Sequence, residues 1–242
     1  ESGNTALPES PLYDAALAQL NMTPDLAEAN RLLDQIGLSK RDGEKIRLFP
    51  DGRRLEFTVE TAGASTEETD ILDLIKQDFI AIGIKIHPRS SQLDVFRRRI
   101  LAGQTIMSGW TGMDNALVAA EMEPDALAPT SPAQFNWPRW GQYFESGGRE
   151  GEAPDLPEAK ELVALYKAWR HSTTHQDRRE IWQTMLKINA EQLFTIGVVN
   201  ATLQPIVVAK ALRNVPEHGL YSFEPGAFFG RYMPDTFWFE GK

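Results

Sequence analysis

The stretch Arg54-Leu-Glu-Phe-Thr-Val-Glu-Thr61, followed after a short turn by Ser65-Thr-Glu-Glu-Thr-Asp-Ile-Leu-Asp-Leu-Ile-Lys-Gln-Asp-Phe-Ile-Ala-Ile-Gly-Ile-Lys-Ile86, decides the fold. Leu55, Phe57 and Val59 alternate with polar neighbours, which is the period of a half-buried strand. Ile71, Leu72, Ile75, Phe79 and Ile82 then recur at helical spacing. Ser65 with Glu68 three residues on makes a capping box at the start of that helix, and Gly83 supplies its stop. Ile84-Lys85-Ile86 resumes as a strand. Strand, helix and strand in that order predict a crossover joining two parallel strands.

Downstream, residues 93–101 give a second, shorter helical pattern, and Gly103 leads into Gln104-Thr-Ile-Met-Ser-Gly-Trp-Thr-Gly-Met-Asp-Asn115. This reads as a buried strand that runs out into a polar loop carrying glycines. The loop places the Trp110 ring, bare backbone at Gly109 and Gly112, and the polar heads of Asp114 and Asn115 at one sheet edge. That edge is where open α/β sheets bind ligands. The alternation as a whole calls for an α/β domain with an open, mainly parallel sheet flanked by helices.

Upstream, the first ten residues read as a polar tether and residues 11–20 as a short helix. Thr23-Pro24 supplies an N-cap and a proline for a helix carrying Leu26, Ala29, Leu32, Leu33 and Ile36, which stops at Gly37. Asp42-Gly43 and Asp51-Gly52 bracket residues 45–49 as a short strand or excursion. From Met113 the periodicity fades as far as Gly151, with Pro124, Pro129, Pro132 and Pro138 punctuating the segment and two short helical turns expected around 117–122 and 125–128. Two long helices follow over 157–170 and 175–192, the second behind a Thr174 cap. Residues 194–199 and 203–208 read as strands. From Val215 to Lys242 the chain is aromatic and without a period, as expected of a segment that packs against another surface.

The 242 residues are 42% hydrophobic, enough for one large domain or two small ones. No apolar run approaches the roughly 20 residues of a membrane span. Glu1 opens no signal-peptide pattern, so either a targeting segment has been removed or the chain begins partway through something longer. A net charge of -9 argues against a nucleic-acid partner, and the one basic run, Arg97-Arg98-Arg99, reads as a solvated helix face. With no cysteine there are no disulfides and no thiolate metal sites. His171 and His175 are four apart, but Ser-Thr-Thr between them reads as a turn and no third ligand accompanies them, so no metal is expected. GxSxG, a P-loop and a cysteine nucleophile are all missing, and the acidic pairs Glu67-Glu68 and Glu121 with Glu123 read as solvated surface. No catalytic residue and no cofactor is expected.

The ordered segments Ala29-Asn-Arg-Leu-Leu-Asp-Gln-Ile-Gly-Leu38, Asp51-Gly-Arg-Arg-Leu-Glu-Phe-Thr-Val59, the junction Ala81-Ile-Gly-Ile-Lys-Ile86, residues 96–109 with the Gly109-Trp-Thr-Gly112 turn, and 178–192 leading into Phe194-Thr-Ile-Gly197 carry a resemblance. Over residues 11–220 the chain resembles the C-terminal lobe of the extracytoplasmic solute-binding proteins, family 5, that serve ABC importers for peptides and related solutes. The resemblance implies a type II periplasmic-binding-protein lobe, periplasmic or lipid-anchored, in a protein that closes two lobes around its solute. The chain would then be a fragment. Residues 1–200 would be the ligand-binding lobe, and 201–242 a return segment packing on the missing N-terminal lobe. Its partners would be the solute, the importer's permease subunits and that lobe. Family members often carry a carboxylate shortly after the Trp, pairing with a peptide's amino terminus. Here Met113 follows Gly112 and the first acid is Asp114, one place later than in typical peptide binders.

The candidate ligand-binding residues are therefore Trp110, Thr111, Gly112, Met113, Asp114 and Asn115, with Trp137, Arg139 and Trp140 as a facing wall. Asp114 and Asn115 hold an ammonium or hydroxyls, or else cap the short helix that follows. Trp110 is a ligand wall or the end of a core strand. Asn136-Trp-Pro-Arg-Trp140 is a pocket rim whose Arg139 receives a carboxylate, or a surface loop anchored by two tryptophans. Flat indoles also suit sugar rings, so an oligosaccharide is the alternative solute. A second class, a glycoside hydrolase, needs two convergent acids about 5 to 10 Å apart, and Asp114 has no evident partner in the sequence. Truncation is expected to expose apolar residues near Phe223, Phe228, Phe229, Phe237 and Trp238 and to favour self-association.

Overall fold

A computed structural model describes residues 5–63, 66–198, 200, 203, 205–220 and 232–241. Its helices are α1 Ala15–Gln19, α2 Leu26–Gln35, α3 Thr66–Ala81, α4 Leu93–Leu101, α5 Pro138–Glu145, α6 Pro157–His171 and α7 His175–Gln192. Its strands are β1 Glu56–Thr61, β2 Lys85–Ser90, β3 Met107–Ser108, β4 Leu212–Arg213 and β5 Trp238–Phe239. The chain divides into two compact units. One comprises Thr23–Thr111 and Ser131–Ala153, and the other Glu1–Met22, Gly112–Thr130 and Pro154–Lys242.

The first is the sheet unit. β1 lies between β2 and β3 and is parallel to both, with Phe57 opposite Ile86 and Val59 opposite Met107. The crossover expected from the sequence is α3, and its apolar stripe explains the core. Leu72, Ile75, Phe79 and Ile82 pack against buried Leu38, Leu55, Val59, Ile84 and Ile86. The rings of Phe57 and Phe79 meet edge to face at 6.3 Å. The capping residue expected at Ser65 lies outside the described residues. On α4, Phe96 and Ile100 sit one helical turn apart and form a smaller core with Ala62 and Phe135.

Three details of this unit depart from the sequence reading. The N-cap of α2 is Asp25, whose carboxylate accepts the Glu28 N–H at 2.8 Å. An Asp two residues nearer the apolar stripe than Thr23 fits the cap position, and Pro24 stands outside the helix. The excursion over 41–54 forms two isolated antiparallel bridges, Arg41 with Arg47 and Leu48 with Arg54. It is pinned by Arg47, which is only 1% exposed and donates to the carbonyls of Ile82 and Leu38 and to the side chains of Asp34 and Asn30. One buried guanidinium thus satisfies the carbonyl ends of two segments, at the cost of needing every donor partnered. Finally, α5 begins with Pro138 at its first turn, inside a stretch whose prolines suggest turns alone.

In the other unit α6 and α7 pack on each other, burying Leu162 and Tyr166 of the first and Trp182, Met185 and Leu186 of the second. Thr174 caps α7 by accepting the Asp177 N–H at 3.1 Å. Side-chain donors explain how an aperiodic segment is held. Trp169 donates to the Ala120 carbonyl, Trp182 to that of Met122 and Asn189 to that of Leu127. Residues 117–122 form turns rather than a helix, and Asp125–Leu127 is a single 3-10 turn. Neither 194–198 nor 205–208 is a strand. β4 and β5 form instead a two-residue antiparallel pair that the sequence does not announce. Phe223, Phe228 and Phe229 lie outside the described residues, Phe237 is half-buried and Trp238 is exposed. Among the described residues no helix is long and apolar enough to cross a membrane.

Candidate functional site

β3 ends at Ser108, and the Gly109 N–H still donates to the Glu60 carbonyl at 2.9 Å, so the parallel ladder delivers Trp110 to the C-terminal edge of the sheet. The indole leans on Phe96, with ring centres 5.5 Å apart, and on Phe135 at 5.0 Å. It remains 41% exposed. The Arg97 guanidinium lies over the same ring, 5.8 Å from its centre. Trp110 is therefore a ring anchored on the α4 core with part of its surface open to solvent.

Beside it, the Glu60 carboxylate is nearly fully buried on β1, opposite Ser108. Arg99 holds it with Nε at 2.8 Å from Oε2 and Nη2 at 3.0 Å from Oε1, and Arg89 of β2 adds a bond of 2.7 Å. Hydrogen bonding from Arg99, then from Arg89, outweighs the penalty of burial and keeps the Glu60 carboxyl below its ordinary range, while Arg99 is raised by the same bond. The run Arg97-Arg98-Arg99 is thus not a uniform solvated face. Arg99 joins Glu60, Arg97 covers Trp110, and Arg98 donates to the Asp94 carbonyl in solvent. Helical spacing carried the signal. With Phe96 and Ile100 facing inward, positions 97 and 99 flank the buried stripe and 98 points away.

The expected facing wall lies in the same unit. Trp137 is 3% exposed and donates its indole N–H to Gln134 at 3.0 Å, so its ring belongs to the interior. Trp140 is half-buried on α5. Arg139, on the same helix, donates to Gln142 at 3.0 Å and reaches Glu152 at 3.4 Å. Thr111, the last residue of this unit's first segment, is exposed.

Gly112, Met113, Asp114 and Asn115 belong to the other unit. Gly112 is exposed, and Met113 and Asp114 are half-buried. Asn115 is 6% exposed, donates its amide to the Thr5 carbonyl at 2.9 Å and accepts the Leu7 N–H at 3.0 Å. Its side-chain amide and its backbone carbonyl together tie residues 5–7 to this loop, a long-range role that no local pattern encodes. No helix follows for Asp114 and Asn115 to cap. In the same unit His175 pairs with Glu121, whose carboxyl is lowered first by that hydrogen bond, and His171 lies 2.7 Å from the Lys167 carbonyl. Tyr166 donates to Glu123, and burial followed by that bond pushes the phenol up to about 12. Among the described residues no group of three or more His, Asp or Glu gathers where a metal ion would sit.

Residues 1–120 match the family described as Bacterial extracellular solute-binding proteins, family 5 Middle. Among solved structures, an oligopeptide-binding protein, OppA, is 27% identical with a TM-score of 0.76, over 98% of this chain and 39% of its own. The periplasmic binding protein MelB of Agrobacterium fabrum, in complex with stachyose, is 19% identical with a TM-score of 0.60, over 80% of this chain and 28% of its own. The oligopeptide-binding protein of Thermus thermophilus, complexed with a pentapeptide, is 17% identical with a TM-score of 0.55, over 81% and 33%. The last two show the shared fold. The chain thus spans about two fifths, or less, of the length of these structures. No curated protein matches it by sequence.

Proposed function

We propose that this chain, whose residues 1–120 match family 5 of the bacterial extracellular solute-binding proteins, is one lobe of a receptor that captures a peptide or related small solute and delivers it to an ABC importer. The observation that carries this reading is the match to OppA along 98% of the chain at 27% identity. The exposed Trp110 at the C-terminal edge of the parallel sheet supports it, since that edge is the ligand-binding edge of such sheets. Residues 1–200 are the ligand-binding lobe and 201–242 the segment that returns to the other lobe. Trp110 and Thr111 face the solute, and Arg139 and Trp140 of the same unit contribute to its recognition. The importer's permease subunits are the partners, and the receptor works in the periplasm or on a lipid anchor. It performs no chemistry on its cargo.

An oligosaccharide is the second reading, favoured by the likeness to the stachyose complex and by the displacement of the first acid to Asp114. Native mass spectrometry of the whole protein that contains this chain, purified gently from its cell envelope, decides between them. A peptide adduct supports the first reading and a ladder of hexose masses the second. Turnover of chromogenic glycosides or peptides by the same preparation would overturn both.

A further inference from the structure

The outer surface of Trp110 is not a bare indole. Phe96 and Phe135 support the ring from the α4 core, and the Arg97 guanidinium lies over it at 5.8 Å. A solute approaching this edge meets a cation seated on an aromatic plane. Stacking on the indole fixes the guanidinium while its N–H groups remain able to donate. Arg97 is exposed, and among the described residues no carboxylate pairs with it.

The neighbouring charges point the same way. Arg89 and Arg99 share the single carboxylate of Glu60, so these three arginines and one acid carry a local surplus of two positive charges. The chain as a whole carries -9. A local reversal of sign on an acidic molecule, at the C-terminal edge of a parallel sheet, selects by charge. A neutral sugar ring gains nothing from it and must compete with Arg97 for the indole.

Resting on the receptor reading above, we propose that the solute carries a carboxylate that seats against Arg97 on Trp110. Two sources share this chemistry, an acidic peptide and a uronate-bearing oligosaccharide. Arg97 recognises the anion by charge-assisted hydrogen bonds, Trp110 holds Arg97 in place, and the cluster of Glu60 with Arg89 and Arg99 keeps the surrounding field positive.

The test uses the whole receptor that contains this chain and isosteric probe pairs read by calorimetry: the C-terminal amides of Ala-Glu-Ala and Ala-Gln-Ala, and trigalacturonate against galactotriose. The expected result is that one pair binds, that its acidic member binds at least about tenfold tighter than its neutral one, and that added salt narrows the gap. Arg97→Gln should erase the preference by weakening the acidic member. Arg97→Lys, which keeps the charge and loses the planar stack, should restore part of it. Which pair responds identifies the source. Equal affinities within the binding pair, or a preference that survives Arg97→Gln in a protein with unchanged melting temperature, overturn the proposal and leave the receptor reading standing. A neutral adduct carried out of the cell has the same meaning. If no probe binds and the native protein carries no adduct, the receptor reading falls and this proposal with it.

Discussion

Glu60 shows how one side chain can serve both stability and the field at the sheet edge. Its carboxylate is buried while Arg89 and Arg99 remain partly in water, so removing the charge leaves two guanidiniums that can rehydrate. Glu60→Gln should therefore cost only about 1–2 kcal/mol in urea unfolding at neutral pH, rather than the larger loss of a fully buried pair. The pH dependence has a fixed sign. The folded carboxyl titrates below its ordinary value of 4.5, so its contribution is complete above that value and is lost as pH falls through the lower, folded one. The gap between wild type and Glu60→Gln should accordingly be widest near neutrality and close on acidification. A gap that widens in acid would mean that Glu60 is protonated in the fold. Gly141 makes a second prediction at this scale. A Cβ there would overlap the Ser131 carbonyl, so Gly141→Ala should destabilise by about 1–3 kcal/mol although alanine is the better helix former. An unchanged melting temperature would show that the 131–132 turn yields.

The helices test how far local pattern reaches. For α2 the sequence nominates Thr23 as the cap and the structure uses Asp25, so Asp25→Ala should lower stability by about 1 kcal/mol and Thr23→Ala should leave it unchanged. The reverse order in thermal unfolding would restore the sequence reading. The β1–α3–β2 crossover and the bounds of α4 and α7 are legible because their signals are periodic and local: Val59 alternates, Phe79 repeats at helical spacing, Thr174 caps. What is not legible depends on partners distant in the chain. Val198 and Val207 have strand propensity, yet no described strand pairs with them, and propensity alone does not make a sheet. The segment 116–128 has no period because Trp169, Trp182 and Asn189 hold its carbonyls from the helices. At the candidate site, Trp110 is readable from its place after a strand. Arg97 does not stand out, because a run of three arginines looks the same whether each side chain faces water, an acid or a ring. Trp137 and Asn115 look like ligand contacts in sequence, and the structure buries each side chain and gives it a hydrogen bond within the fold.

At the scale of the whole chain, the exposed apolar residues of the segment after α7 set a prediction about association. Val207 is 98% exposed and Leu203 94%, with Ile206 also open to solvent, on backbone that belongs to no described strand. Exposed apolar side chains outside any sheet are a surface on which another chain can pack. A net charge of -9 opposes association of this chain, but screening in about 0.15 M salt leaves that repulsion weak beyond roughly 8 Å. Light scattering of this chain should therefore show a mass that rises with protein concentration, more steeply as salt is added. The double substitution Ile206→Asp and Val207→Asp should hold it monomeric without lowering its melting temperature. The chain spans 39% of the length of OppA, and in the two-lobed receptor proposed here the remaining lobe covers the 201–242 segment. The whole receptor should then stay monomeric at concentrations where this chain associates. If both associate alike, the segment is an interface between copies and not a return to the other lobe. If neither does, these side chains pack in solution against something within the chain itself.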